Sequence, residues 1–275
     1  MINVIIPAYN CSKTLGRTLA SLVAQTDQNF EVIIIDDCST ENIKNIIDDY
    51  NNKLKIIYIR NEKNIGCGMS RQVGIDNATQ KFITFLDSDD CFMPYTVETF
   101  NSIIEANPDI EYLHSYFYEQ VSIEGNPSII LYKDNYTACH GKLYNLDLIK
   151  KFGICNSPDI KWADDSYFNS MCSELLNMSI IKIPTVLWCN NPNSVMRKKD
   201  PKRDTETTKD FLNAMLKSAE FVLQYKDSIA HIQNTVNTII NNEHLILNDD
   251  ETKKINKLLT YARRNFDGNS NYKTQ

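Results

Sequence analysis

A chain of 275 residues with 29 Lys plus Arg against 35 Asp plus Glu carries a formal charge of −6. As a whole it is therefore excluded as an electrostatic partner of nucleic acid or anionic membrane, although a local basic patch stays open. Its 42% hydrophobic and 23% charged residues exclude a disordered or collagen-like chain, and the length suits one large α/β domain with an appendage rather than two cores.

The opening MINVIIPAYN has no charged segment ahead of a long apolar one, so no signal peptide is expected. No apolar run approaches the span of a bilayer, and any membrane contact would be peripheral, at the inner face. Eight cysteines, at 11, 38, 67, 91, 139, 155, 172 and 189, include no C-x-x-C pair. A zinc ribbon or thioredoxin-type motif is thus unsupported, and reduced thiols in a cytoplasmic protein are expected.

Along the first hundred residues, short runs rich in Ile, Val and Phe alternate with helical patterns. Residues 2–6, 31–35, 55–59 and 81–86 read as buried parallel strands. Between them, 12–25, 41–50 and 68–79 read as helices, the first with Leu15, Leu19, Leu22 and Val23 on one face and Ser12 as its N-cap. Strand, helix, strand with short connections implies right-handed crossovers and a mainly parallel sheet with helices on both faces. Ligands of such sheets bind at the carboxyl ends of the strands.

After residue 107 the pattern changes. YLHSYFYEQVSIEGNPSIILYKD reads as a hairpin about Gly125-Asn126, 145–151 and 164–176 as helices, and 179–188 as a strand interrupted at Pro184. The polar, basic 190–207 reads as a mobile loop, and 208–242 with 251–265 as a helical tail.

Acidic residues gather where strands end. VIIIDD places Asp36 and Asp37 after the second strand, and FITFLDSDD places Asp87, Asp89 and Asp90 after the fourth. On an extended chain Asp87 and Asp89 would face one point and Ser88 the other, the arrangement of a divalent-cation clamp. Two carboxylates about 4 Å apart repel by about 4 kcal/mol at the effective dielectric of a protein surface, and Mg²⁺ or Mn²⁺ would remove that cost. An acidic turn capping the next helix is the other reading.

IIPAYN, VIIIDDCST, NIGCGMSRQVGIDNA and FITFLDSDD, in this order, resemble the nucleotide-binding half of family 2 glycosyltransferases with the GT-A fold. The resemblance implies a nucleoside-diphosphate sugar donor, most simply a UDP-sugar, a Mn²⁺ or Mg²⁺ cofactor and inversion at the anomeric carbon. It implies that Pro7, Ala8 and Tyr9 line the base and ribose and that Asp37 accepts a hydrogen bond from the base. Arg71 would reach the nucleotide, Asp87 and Ser88 the donor, and Asp89 the metal, with Asp90 supporting the loop. Cys38 stands where the family has Gly, which leaves that turn's backbone open.

In the acceptor half, the resemblance makes Asp165 of KWADDSYFNSM the general base; as residues alone, the pair reads first as helix caps. His140 of ACHGKLYNLDLI would contact donor or acceptor, and Ser194 and Arg197 of NNPNSVMRKKDPKR would close over the diphosphate. The organisation expected is a transferase domain at 1–205, with the nucleotide-sugar half at 1–107 and the acceptor half and closing loop at 108–205. A helical extension at 206–275 would follow, with a homodimer through it as one role.

The acceptor would be a glycan, a lipid-linked saccharide or another hydroxyl compound, a nucleic acid not being excluded. Competing readings are a nucleotide-sugar-binding module without catalysis and a Rossmann-type methyltransferase or dehydrogenase. The turn PAYNCS lacks the G-x-G-x-x-G that the last requires.

Overall fold

A computed structural model describes residues 1–123, 126–132, 135, 137–191 and 201–225, with 252, 253, 256 and 260 besides. In chain order the elements are β1 Ile2–Ala8, α1 Leu15–Val23, β2 Phe30–Asp36, α2 Lys44–Asp48, β3 Ile56–Arg60, α3 Cys67–Asn77, β4 Phe82–Phe85 and β5 Cys91–Phe92. There follow α4 Thr96–Ala106, β6 Tyr112–Ile123, β7 Asn126–Tyr132, β8 Lys142–Asn145, α5 Leu146–Phe152, α6 Asp164–Leu175, β9 Met178–Trp188 and α7 Pro201–Val222.

Four strands form the expected parallel half, in the order β3-β2-β1-β4. Alternate side chains leave opposite faces, as the period of two demands. Val4, Ile6, Val32 and Ile34 pack against Leu15, Leu19, Leu22 and Phe100 on one side. Ile5, Ile33 and Ile35 pack with Ile75, Phe168 and Met171 on the other. Helices thus cover both faces, and the registers Ala8↔Asp36 and Asp36↔Arg60 bring three strand ends to one rim.

Beyond β4 the sheet becomes mixed. β8 joins β4 antiparallel, β6 pairs β8 and β7 antiparallel, and β9 lies parallel to β6 before β5 closes the order antiparallel to β9. The hairpin read from the sequence is β6–β7, in register from Phe117↔Tyr132 to Ile123↔Asn126. Pro184 does not end its strand. β9 runs through it, opposite Tyr116, and absorbs it as an irregularity between Ser115 and Phe117.

Three local expectations change. Helix α1 starts after Thr14, not at a Ser12 cap: the preceding turn closes on the Cys11 carbonyl, which accepts the amides of Thr14 at 3.0 Å and Leu15 at 2.9 Å, and the Ser12 amide donates to the Glu41 carboxylate at 3.0 Å. Residues 201–207 are the start of α7 rather than loop, Pro201 being suited to a first helical position. Helix α4 and strands β5 and β8 were not anticipated. Ser194 and Arg197, and most of the tail beyond 225, lie outside the described residues. Among the described residues no helix is long and apolar enough to cross a membrane.

Helix α3 lies directly on β1 and β2 at Gly74, where an added Cβ would sit 2.3 Å from Ile5 Cγ2 and 3.0 Å from Ile35 Cδ1. Both neighbours are fully buried. Gly74→Ala should therefore destabilise the fold by about 1–3 kcal/mol despite the better helix propensity of Ala, a loss readable as a lower urea midpoint.

Candidate active site

The donor side of the rim is built on β1, β2 and the turns after them. Pro7 and Ala8 are buried, Ala8 accepting the Asp37 amide at 2.8 Å, while Tyr9 is 49% exposed at the edge. Asn10 holds the neighbouring loop, its Oδ1 accepting the amides of Thr40 at 2.8 Å and Glu41 at 3.3 Å.

Asp36 is enclosed. Its carboxylate accepts from the Ser39 amide, the Tyr58 hydroxyl and Arg60. Burial works to raise its pKa, but these donors hold it below the ordinary value. Asp37 accepts from Asn61 Nδ2 at 2.9 Å, the Ile65 amide at 2.8 Å and the Gly66 amide at 2.8 Å. It therefore anchors the turn that enters α3, a duty the sequence did not show, and keeps roughly one of about four acceptor positions for another donor. Cys38 directly follows the two aspartates with φ 62°, the left-handed conformation that the usual Gly takes without cost.

The acidic segment after β4 departs from the extended geometry expected of it. The Asp90 amide donates to the Asp87 carbonyl at 3.0 Å, closing a turn over 87–90. Asp87 and Asp90, three apart, consequently converge on His140, while Asp89 has hydrogen bonds of its own. Its carboxylate accepts from Asn191 Nδ2 at 2.8 Å and its carbonyl from Arg17 Nη2 at 2.6 Å. Ser88 lies within hydrogen-bonding reach of the Cys11 thiol. Asp90 is fully buried, with one oxygen on the Cys189 amide at 2.9 Å and the other on His140 Nε2 at 3.0 Å.

Arg71, on α3, is 5% exposed and joins the two halves of the molecule. Nη2 donates to Asp87 at 2.7 Å, Nη1 donates to Asp164, and the guanidinium lies over the Phe85 ring at 5.9 Å. Helix α6 begins at Asp164, and the next residue, Asp165, lies within electrostatic reach of Asp164, Arg71 and His140. The approach of α3 to α6 is close: a Cβ on Gly68 would lie 2.6 Å from Asp164 Cβ.

His140 belongs to the segment before β8. Its ring packs in a triangle with Phe117 and Trp188, at centroid distances of 5.2 and 5.4 Å, those two rings being 6.3 Å apart. Asn169, buried on α6, ties that segment to the base candidate by donating to the carbonyls of Thr137 at 3.0 Å and Asp165 at 2.9 Å. Its Oδ1 accepts from Tyr144 at 2.7 Å and Tyr112 at 3.3 Å. Sequence reasoning missed Asn169, Asn61 and Asn191, because a lone Asn carries no pattern.

The carboxylates are not equivalent. Burial raises Asp87, but the Arg71 charge overrides it and holds the group below the usual range. Burial and then Asp87 raise Asp89, and burial pushes Asp90 up to about 6. Burial lowers His140, but the bond to Asp90 reverses the sign. Asp164 is raised by burial in spite of Arg71, and burial with the neighbouring Asp164 pushes Asp165 up to about 6.

Two carboxylates and an imidazole fit a divalent cation. The ligating atoms of Asp87, Asp90 and His140 lie within 4.8 Å of one another. A mixed oxygen and nitrogen set suits Mn²⁺ more than Mg²⁺, which favours oxygen alone.

Strand ends bearing aspartates, with a mixed half delivering a second acidic pair from a helix start, define the GT-A glycosyltransferase fold. The chain belongs to glycosyl transferase family 2, whose profile matches residues 3–156. A solved structure of Staphylococcus aureus TarS residues 1–349 in complex with UDP-GlcNAc superposes with a TM-score of 0.74, over 95% of this chain and 80% of that one, at 21% identity. The mannosyltransferase PcManGT from Pyrobaculum calidifontis, in complex with GDP-Man and Mn²⁺, superposes at 0.61 over 98% and 76%, at 13% identity. In sequence, an uncharacterized glycosyltransferase of Haemophilus influenzae is 40% identical over 114 residues, 42% of this chain and 38% of that protein. TarS of S. aureus, a poly(ribitol-phosphate) beta-N-acetylglucosaminyltransferase, is 30% identical over 178 residues, 60% of this chain and 31% of that protein. The chain spans less than half the length of these curated relatives.

Two measurements test this geometry. Arg71→Met would leave Asp87 and Asp164 buried without their cation, and should cost about 3–5 kcal/mol in urea unfolding. Arg71→Lys should recover little, since one ammonium cannot reproduce two separate guanidinium contacts. Cys38→Gly should raise the melting temperature, relief of the left-handed φ being worth about 1 kcal/mol before the entropy of the added Gly is subtracted.

Proposed function

We propose that the protein is an inverting glycosyltransferase that moves a sugar from a nucleoside-diphosphate sugar, most simply a UDP-sugar, to a hydroxyl acceptor. The observation that carries this reading is the Arg71 bridge. It links Asp87 on the donor rim to Asp164, the chain neighbour of Asp165, which supports Asp165 as the base that works on a donor held at that rim.

In this reading Pro7, Ala8 and Tyr9 border the base and ribose, and Asp37 offers its remaining acceptor position to the base. Asp87, Ser88 and His140 face the donor beyond the ribose, and Arg71 keeps Asp87 in place. Mn²⁺ or Mg²⁺, when bound, would offset the charge of the departing diphosphate. The residues for it are Asp87, Asp90 and His140, with Asp89 as the further carboxylate of the same turn. Ser194 and Arg197, from the basic segment, would close over the diphosphate.

Asp165 accepts the proton of the acceptor hydroxyl as its oxygen bonds to the anomeric carbon, and the bond from that carbon to the diphosphate oxygen breaks. Attack from the side opposite the leaving group inverts the centre. A carboxylate raised to about 6 is a stronger base than an ordinary one while still ionised at neutral pH. Acceptors of the class are glycans, lipid-linked saccharides or surface polymers. The polymer named for TarS makes a polyol-phosphate chain the first to try, and UDP-GlcNAc the first donor.

With donor, acceptor and Mn²⁺, turnover should fall as pH drops through about 6, where Asp165 takes up its proton. Asp165→Asn should lower kcat by about 10²–10⁴-fold, while the thermal shift given by UDP with Mn²⁺ persists. Undiminished transfer by Asp165→Asn, or by the wild type in excess chelator, would overturn the assignment.

A further inference from the structure

The turn that delivers the acidic pair has an unusual source of support. Residues 161–163 lead directly into α6, whose N-cap, Ala163, has no side-chain cap of its own. Their three successive amides converge on one carboxylate from a different helix. Asp210 on α7 accepts from Lys161 N at 3.0 Å, Trp162 N at 2.6 Å and Ala163 N at 2.9 Å through Oδ2, and from Lys161 N at 3.1 Å through Oδ1. Consecutive backbone amides form an anion-binding concavity, and a carboxylate in it makes charge-assisted bonds roughly twice as strong as neutral ones.

The rest of α7 makes Asp210 a fixed point. Leu212, Ala214, Leu216, Ala219 and Val222 are buried, and Ala214 and Val222 belong to the same apolar cluster as Phe168 and Met171 of α6. Lys217 pairs with Asp159 and reaches Ser157 Oγ at 3.4 Å, and the Tyr225 hydroxyl donates to the Phe152 carbonyl at 2.7 Å. A helix that the sequence placed in an appendage is thus fastened along the segment 152–163, and Asp210 is the contact that lies at the entry to Asp164 and Asp165.

We infer that Asp210 is a positioning residue for the transfer reaction, acting from α7 by fixing the 161–163 turn so that Asp164 stays on Arg71 and Asp165 stays aimed at the acceptor hydroxyl. This rests on the transferase reading above. Without the carboxylate the three amides turn to water, the entry to α6 gains freedom, and a misplacement of about 1 Å at a base can cost about 10²-fold in rate. The donor rim is built on other elements, so donor affinity stays.

The test uses the full chain with Asp210→Ala, Asp210→Asn and, as a control on the same helix, Lys217→Ala. Asp210→Ala should lower kcat at least tenfold with the donor KM and the UDP–Mn²⁺ thermal shift within twofold of wild type. Asp210→Asn, which keeps one acceptor oxygen, should fall in between. Lys217→Ala should lower the melting temperature without changing kcat measured below it. Hydrogen exchange supplies a readout free of catalysis: the amides of 161–163 should exchange at least tenfold faster in Asp210→Ala and not in Lys217→Ala. Unchanged exchange in Asp210→Ala, unchanged kcat with an active wild type, or an equal kcat loss in Lys217→Ala would overturn the inference. A wild type without any turnover would instead overturn the transferase reading, and the kinetic part of this inference with it.

Discussion

The arrangement of the cleft depends on one buried cation. Arg71 stands on a helix of the parallel half, touches the acidic turn after β4 with one nitrogen and the start of α6 with another, and has almost no access to water. A guanidinium suits this position because its planar fork can meet two carboxylates in fixed directions. Taking it out of water is costly, and only the two counter-charges make the position tolerable. The acidic turn after β4 and the start of α6 are therefore locked to each other by charge, inside the candidate cleft.

The remaining acids of the cleft follow from how that single positive charge is shared. Asp87 takes enough of it to stay ionised, whereas Asp164 is raised despite it and Asp165, further along α6, is raised to about 6. Asp90 and His140 form a second unit, each raised, in effect one proton held between a carboxylate and an imidazole. Neighbouring groups with separated proton affinities are what a site needs if one acid is to hold ligand and another is to accept a proton.

The parallel half was legible because its strands are continuous apolar runs with helical segments of ordinary length between them, and four ordered motifs fixed its family. The mixed half was less so. Strand β5 has two residues and β8 has four, too short for any period to show, and α4 follows the acidic turn with no break that announces it. Within the site, Asp37, Arg71, His140 and Asp165 could be named from motifs. The turn that groups Asp90 with Asp87 and His140 could not, since alternation describes an extended chain and the 87–90 segment is closed by a backbone bond. Asp90 was read as support for its loop, and its bonds to Cys189 and His140 give it that part as well as a place in the candidate cation group.

Partners far apart in sequence were hidden for a simpler reason. Asp210 meets amides at 161–163, and Asn191 meets Asp89 across a separation of 102 residues. No local pattern specifies such pairs, because the amides they satisfy are common to every residue and only the fold selects which are left without a partner. The net charge of −6 takes a different meaning in that light. Among the acids, Asp36, Asp37, Asp90 and Asp210 are occupied by backbone amides and Asp87 and Asp164 by one arginine. Six of the 35 acids are therefore engaged in holding the cleft together, and two of the six, Asp87 and Asp90, also belong to the group that could hold a cation.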